Sequence, residues 1–368
     1  MTNSIKCIHV ENGIRIENDG KCRACCMQYG NWGEEYNVRN NTFDEIKKSP
    51  IRQEVISAFR NGIRHKACNR CWEEEDAGFA SKRMRDNEKF YNEEFYKQEF
   101  NFPSVIDVSM GNACNIKCRT CGPFNSSFWA KEFKDLGFFQ GNDKQYKEWL
   151  RTFNDAYEDD SLFWKSFEDS LQDVKHIDFY GGEPFLVKKQ WEMLRKAVDN
   201  DFAKNIDIHY NTNGTIWDEK KEDVLKKFNK VYIDFSIDGL KDHLNYIRYP
   251  AEWNTVFSNF TKAMNFSHKN PNIVINVCVT ISNLNVFYIP EIDSFFKKYT
   301  KNLYLNLVHD PHYFNIKYLP SSVKKVVSEK IEDYNRNDFY IDKILKFMDS
   351  YIASDEENFN KFLKMTKM

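Results

Sequence analysis

The sequence predicts an α/β protein in which parallel βα units follow a small α+β module and lead into a helical tail. Three observations carry this reading. From about residue 104, short apolar runs alternate with longer amphipathic stretches, the layout of strand–helix–strand units. Nine of the ten cysteines fall before residue 122, which marks the first hundred residues as a region with its own chemistry. Beyond about residue 321 only helical patterning remains. The expected division is therefore 1–100, 101–320 and 321–368.

Each element has a local reason. In the N-terminal module, "KCIHV" and "GIRIEND" read as short strands. Thr42 and Glu45 form a capping box in "TFDE". In "SPIRQEVISAFRNG", Ser49 caps a helix, Pro50 takes its first position, Ile51, Val55 and Phe59 share a face, and Gly62 stops it. Strands then come at "SVIDVSM", "HIDFYG", "IDIHYN", "VYIDFSI", "IVINVCVTI" and "LYLNLVH". Helices are expected at "SSFWAKEF", "KKQWEMLRKAV", "KKEDVLKKF", "WNTVFSNFTKAM" and "IPEIDSFFKKY". The stretch "EWLRTFNDAYEDDSLFWKSFEDSL" reads as a helical insertion between the first two strands of this series, and the tail as two or three helices.

Composition narrows the function. Among 368 residues, 53 Lys and Arg against 55 Asp and Glu leave a net charge of −2, which favours neither nucleic acid nor an acidic membrane as partner. No run has the length of a membrane span, and the start lacks the basic and apolar regions of a secretory signal. A cytoplasmic location is expected, where thiols stay reduced and available to metals. Cys278, inside an apolar strand, reads as a small core hydrophobe. Isolated histidines such as His65, His309 and His312 read as hydrogen-bonded structural residues.

The segments at the strand ends are more specific. The first strand ends in "GNACNIKCRTCGP", a C-x3-C-x2-C array of Cys114, Cys118 and Cys121. Three thiols cannot pair off as disulfides, and a structural zinc site ordinarily takes four ligands. The second strand ends in "GGEP", the third in "NTNG" and the fourth in "SIDG". In a parallel barrel the C-terminal strand ends share one rim, so these patches are expected around one pocket.

"CNIKCRTC" followed by "GGEP", "NTNG" and "SIDG" closely resembles the radical S-adenosylmethionine superfamily over about residues 104–320. The resemblance implies a partial (β/α)6 TIM-like barrel. It also implies that Cys114, Cys118 and Cys121 hold three irons of a [4Fe-4S] cluster, the fourth being ligated by S-adenosylmethionine. An odd count of thiolates thus leaves one metal position open, as a catalytic site requires. Gly181, Gly182 and Glu183 match the segment that receives the methionine amino group. Ser236 and Asp238 fall where the family contacts the ribose, with Asn213 and Arg248 as further polar contacts. Thr120 stands where the family commonly has an aromatic residue.

The N-terminal region resembles the twitch or SPASM-type module, which more often follows the barrel than precedes it. Cys7, Gly20 and Cys25 fit its hallmark and Cys68 and Cys71 supply a later C-x2-C pair, so the resemblance implies an auxiliary [4Fe-4S] cluster on Cys7, Cys25, Cys68 and Cys71. A zinc site on Cys22, Cys25, Cys68 and Cys71 is the competing arrangement, and Cys22 and Cys26 are otherwise spare thiols or substitutes.

The implied activity is that of an oxidoreductase. S-adenosylmethionine is cleaved reductively to methionine and a 5′-deoxyadenosyl radical, which abstracts hydrogen from a peptide or protein side chain that is then oxidised or cross-linked. A small polar metabolite such as a sugar or aminocyclitol is the alternative substrate, and an external donor such as flavodoxin or ferredoxin is the implied electron source. A non-enzymatic iron-sulfur carrier would also keep both sets of cysteines, but it has no use for "GGEP".

Overall fold

The computed structural model describes residues 5–76, 78, 80–96, 100–137, 139–301, 303–334, 339–350 and 356–366. Among these residues there are eight strands: β1 (Gly13–Ile16), β2 (Cys22–Arg23), β3 (Val105–Ser109), β4 (His176–Tyr180), β5 (Asp207–Thr212), β6 (Lys230–Ser236), β7 (Ile273–Ile281) and β8 (Leu303–Leu307). They form one sheet in the order β2-β1-β3-β4-β5-β6-β7-β8. From β3 onward, neighbours in the sheet are neighbours in sequence, as a partial barrel of βα units requires. All six strands expected from residue 104 onward are observed.

The chain divides into two compact units. The first comprises residues 1–114, 123–210 and 219–231. In it β1 pairs with β2 antiparallel and with β3 in parallel, Gly13 opposite Val105 and Ile16 opposite Val108. β3 and β4 pair in parallel from Val105–His176 to Ser109–Tyr180. All five residues of β3 are buried, the mark of a strand covered on both faces. Beside β4 and β5, Phe179 and Tyr210 stack at 4.9 Å, Tyr210 and Phe185 at 5.0 Å, and Phe185 and Trp191 at 5.6 Å. Each of these rings is a core anchor of about 1.5–3 kcal/mol.

The second unit comprises residues 115–122, 211–218 and 232–368. β7 and β8 pair in parallel, from Val277–Leu303 to Ile281–Leu307. The helix Trp253–Lys269 buries Val256, Phe260, Ala263 and Phe266 on one stripe, and Phe260 meets Phe296 of the helix Ile289–Phe296 at 5.5 Å. Among the described residues of the tail there are three helices, Ser321–Tyr334, Phe339–Asp349 and Glu356–Thr366. No helix among the described residues is long and apolar enough to cross a membrane.

Two local expectations are overturned. "KCIHV" is not a strand: Ile8–Asn12 is a short helix with Cys7 at its N-cap, and Ile8, His9 and Val10 are buried in succession rather than alternately. Distant partners decide this, since Ile8 N donates to Asn87 Oδ1 at 3.0 Å and the His9 ring meets Asp86 at 2.6 Å. "SSFWAKEF" shrinks to a single 3₁₀ turn, Trp129–Lys131. Ser127 explains the loss, because its N–H donates to Asn112 O at 2.7 Å and its hydroxyl to Cys114 O at 3.1 Å, tying the start of the segment to the cysteine loop. The insertion resolves into two helices, Asp143–Arg151 and Leu162–Ser170.

Candidate active site

In the first unit, the chain leaves β3 through Gly111 and runs past Asn112 and Ala113 to Cys114, which is buried. Asn112 is 2% exposed and donates from Nδ2 to Pro123 O at 2.7 Å, closing the two ends of the cysteine loop on each other. The "GGEP" segment lies against the same backbone. Gly182 N donates to Gly111 O at 3.2 Å, and Glu183 N to Ala113 O at 2.8 Å. Glycine is needed here for space as well as conformation: Gly181 has φ +116°, and a Cβ on Gly182 would lie 2.2 Å from Ala113 O. The Glu183 side chain is 1% exposed and its Oε1 accepts from Phe185 N at 3.0 Å, capping the 3₁₀ turn Pro184–Leu186.

In the second unit, Cys118 and Cys121 share a turn, with Cys121 N donating to Cys118 O at 3.0 Å. Lys117 N and Arg119 N donate to Tyr249 O and Ile247 O at 2.7 and 2.8 Å, so the segment around Cys118 is laced to the chain flanking Arg248. Arg248 is buried. Its Nε and Nη2 reach Asp238 Oδ2 at 2.8 and 2.7 Å, and its Nη1 lies 3.9 Å from Cys118 Sγ. Burial pulls the guanidinium down, but Asp238 and Cys118 outweigh it and hold its pKa above the ordinary value. The other Asp238 oxygen accepts from Thr280 N at 2.7 Å, so this carboxylate is fixed on both sides. Asn213 donates to Asn115 Oδ1 at 3.0 Å and accepts from Thr215, while Asn115 Nδ2 donates to Thr215 Oγ1 at 2.8 Å. Ser236 ends β6, half-buried. Nothing in the sequence announces Asn115 or Thr215, because each becomes meaningful only beside a partner about a hundred positions away.

The remaining cysteines sort sharply. Cys7, Cys25, Cys68 and Cys71 line one cavity in the first unit, with His9, Gln28, Phe59 and Arg83 among its other walls. Cys68 ends one 3₁₀ turn and Cys71 lies one helical turn later, in Asn69–Asp76. Burial pushes the Cys7 and Cys68 thiols up to about 12, and neighbouring thiols of the set add to the rise. Cys22 is absent from this cavity: it is fully buried elsewhere, its thiol 3.6 Å from Gly20 O, so the zinc arrangement lacks one of its members. Cys26 is exposed. Among the described residues, no group of three or more His, Cys, Asp or Glu converges as the ligands of a single metal ion do. Four thiolates on the separate irons of a cluster surround a cage instead of a point. The free space among these side chains is about 10 Å³, so a cage enters only as the thiols turn aside. The donor set fits such a group, and a buried donor, Gln28 Nε2, has no acceptor.

A larger cavity, about 810 Å³, opens in the first unit between the β1–β2 loop, residues 30–40 and the helical insertion. Most of its charges are matched within it: Lys21 meets Glu34 at 3.0 Å and Asp19 at 3.4 Å, and Arg23 pairs with Glu17, whereas Arg39 donates to the Thr152 carbonyl and keeps a buried Nε without an acceptor. Asn18, Asn31, Asn37, Asn40 and Asn125 supply amides, and Trp149 with Phe124 an aromatic wall.

Residues 108–295, just over half of the chain, match the family model described as the Radical SAM superfamily. The chain belongs to the radical SAM superfamily. A curated radical SAM relative, the radical SAM cyclopropyl synthase TigE of Paramaledivibacter caminithermalis, is 24% identical over 174 residues, which are 46% of this chain and 34% of that protein. The chain thus spans about a third of the length of the curated relative it matches. Among solved structures, native anSMEcpe with bound AdoMet is 19% identical with a TM-score of 0.42, over 68% of this chain and 62% of that one. Streptococcus suis SuiB bound to precursor peptide SuiA is 14% identical with a TM-score of 0.39, over 73% and 59%.

Proposed function

We propose that this radical SAM protein is an oxidoreductase acting on a peptide or protein side chain, with one [4Fe-4S] cluster on Cys114, Cys118 and Cys121 and an auxiliary cluster on Cys7, Cys25, Cys68 and Cys71. Family membership supports the first cluster, and the gathering of Cys7, Cys25 and the Cys68/Cys71 pair in one cavity, without Cys22, carries the second. When bound, these groups supply the electron that cleaves S-adenosylmethionine to methionine and a 5′-deoxyadenosyl radical, and an acceptor for the electron the substrate gives up.

The chain's own residues do the rest. Arg248, locked by Asp238, presents a fixed positive charge beside Cys118, where a thiolate is the ligand form. Gly181 and Gly182 hold the backbone after β4 close to that after β3, and Gly181, Gly182, Glu183, Asn213, Ser236, Asp238 and Arg248 are the proposed S-adenosylmethionine contacts. The cavity of about 810 Å³ supports a peptide over a sugar or aminocyclitol. It lies in the upper part of the usual range for ligand sites, its carboxylates are taken up by Lys21 and Arg23, and its wall is rich in asparagines, whose amides match a donor and an acceptor to a peptide group. Residues 1–100 then serve as the cluster module and 101–320 as the barrel, with flavodoxin or ferredoxin as the outside donor in a cytoplasmic setting.

Anaerobic reconstitution tests this. The chain should take up about eight irons, falling to about four in Cys68→Ala/Cys71→Ala. That variant should still form 5′-deoxyadenosine with dithionite, whereas Cys114→Ala/Cys118→Ala/Cys121→Ala should form none. A normal yield from the triple variant would sink the assignment.

A further inference from the structure

Gln28 lies three residues after Cys25 and is 3% exposed, on the wall of the four-cysteine cavity. A buried primary amide has two donors and an acceptor to satisfy, and an unmet one costs free energy. Here the acceptor side is settled, since Oε1 accepts from Ala24 N at 2.8 Å. That bond also fixes which way the amide faces, because the opposite flip would set two donors against each other. The Gln28 backbone is held as well: its N–H donates to Cys25 O at 3.2 Å and its carbonyl accepts from Arg23 Nη1 at 3.1 Å. Nε2 is left with no acceptor, and about 10 Å³ of free space is at the lower limit for one water. A held, unmatched donor thus belongs to a residue of a cavity whose other polar side chains are four thiols, the His9 ring, whose Nε2 meets Asp86 at 2.6 Å, and the Arg83 guanidinium. That guanidinium is itself taken up by Glu75 at 2.9 and 2.7 Å and by Lys6 O at 3.0 Å.

We infer that Gln28 is a positioning residue whose Nε2 donates to a sulfur of the auxiliary cluster held by Cys7, Cys25, Cys68 and Cys71, and thereby raises that cluster's reduction potential. The inference rests on the four-cysteine reading above. A donor aimed at a cluster sulfur disperses negative charge, and the reduced cluster carries one more negative charge than the oxidised one, so it is favoured more. No proton or atom is transferred; only the balance between the two redox states moves.

The test is a redox titration followed by electron paramagnetic resonance on the reconstituted full chain. It is run in the Cys114→Ala/Cys118→Ala/Cys121→Ala background, so that only the auxiliary cluster gives a signal. Gln28→Glu keeps an oxygen for Ala24 N and replaces the donor with a charged acceptor. Gln28→Met keeps the volume and removes both functions. Both variants should retain about four irons. The reduced-to-oxidised ratio at a fixed poise should fall about tenfold in Gln28→Glu, a midpoint about 59 mV more negative, and less in Gln28→Met. An unchanged midpoint in Gln28→Glu with its iron retained overturns the inference. If Gln28→Glu fails to load, the Gln28→Met midpoint decides in the same way. A background that holds no iron and gives no signal is a distinguishable failure: it overturns the four-cysteine reading, and this inference with it.

Discussion

Arg248 carries its charge into a place where water cannot stabilise it, and a single carboxylate makes that tolerable. Asp238 is 2% exposed and accepts from two guanidinium nitrogens and from Thr280 N. A buried pair of this kind adds little over well-packed apolar residues, but removing one member strands the other. Asp238→Ala should therefore cost about 3–5 kcal/mol of stability. The double variant Asp238→Leu/Arg248→Met should cost clearly less, both read from urea unfolding midpoints. Equal losses in the two would show that Arg248 is not buried as a charge. The same residue scale shows where sequence reading stops. Cys114, Cys118 and Cys121 stand out in the sequence because three thiols share one short loop, and the spacing is itself the signal. Gln28 and Asn115 carry no such signal, since what singles them out is a distant thiol set or an asparagine in another loop.

At the scale of elements, the close approach of two loops is the most constrained feature of the first unit. The Gly182 neighbours that a methyl group would strike are the backbone atoms of Asn112 and Ala113, which cannot rotate away as a side chain would. Gly182→Ala should then cost at least about 1–3 kcal/mol, the usual range for overpacking a tight site. Gly30 is the control. It has φ +73° with nothing within 4 Å of an added Cβ, so Gly30→Ala should cost only the left-handed conformation, about 1–2 kcal/mol, and leave iron binding intact. Thermal unfolding together with iron content separates the two, and equal behaviour would show that the loops after β3 and β4 have room to spare. The strands were legible because each of the six is an apolar run bounded by turn residues. The helix Ile8–Asn12 was not, because five residues are too few for a helical period to show and its shape is set by Asp86 and Asn87. The helix Pro50–Arg60 was legible from its ends, with Ser49 as cap and Pro50 at its first turn, and from Val55 and Phe59, both buried, although Ile51 of the same expected face is 40% exposed.

At the scale of the whole chain, the N-terminal hundred residues do more than carry cysteines. They supply β1, which runs parallel to β3 along its length, and Ser104 N donates to Asn12 O at 2.9 Å where the two strands begin. They also supply Arg15, opposite Asp107 in register, which pairs with that carboxylate and donates to Ser109 Oγ at 2.6 Å. Asp107 is 4% exposed, and burial raises its pKa despite the attraction of Arg15. Tyr96 adds a further tie, its hydroxyl donating to Asp207 Oδ2 at 2.5 Å. A chain beginning at residue 101 would therefore lose three things at once: the partner of a strand buried on both faces, the counter-charge of a buried carboxylate and the cover over Asp207. An unpaired apolar edge such as β3 is a template for aggregation, and an unpartnered buried carboxylate adds several kcal/mol against the folded state. Residues 101–368 expressed alone should be aggregated or lack a cooperative thermal transition, as judged by size-exclusion chromatography and circular dichroism, whatever iron is supplied. A monomeric fragment that unfolds cooperatively would show that the N-terminal region is an appended cluster carrier and not a structural part of the first unit.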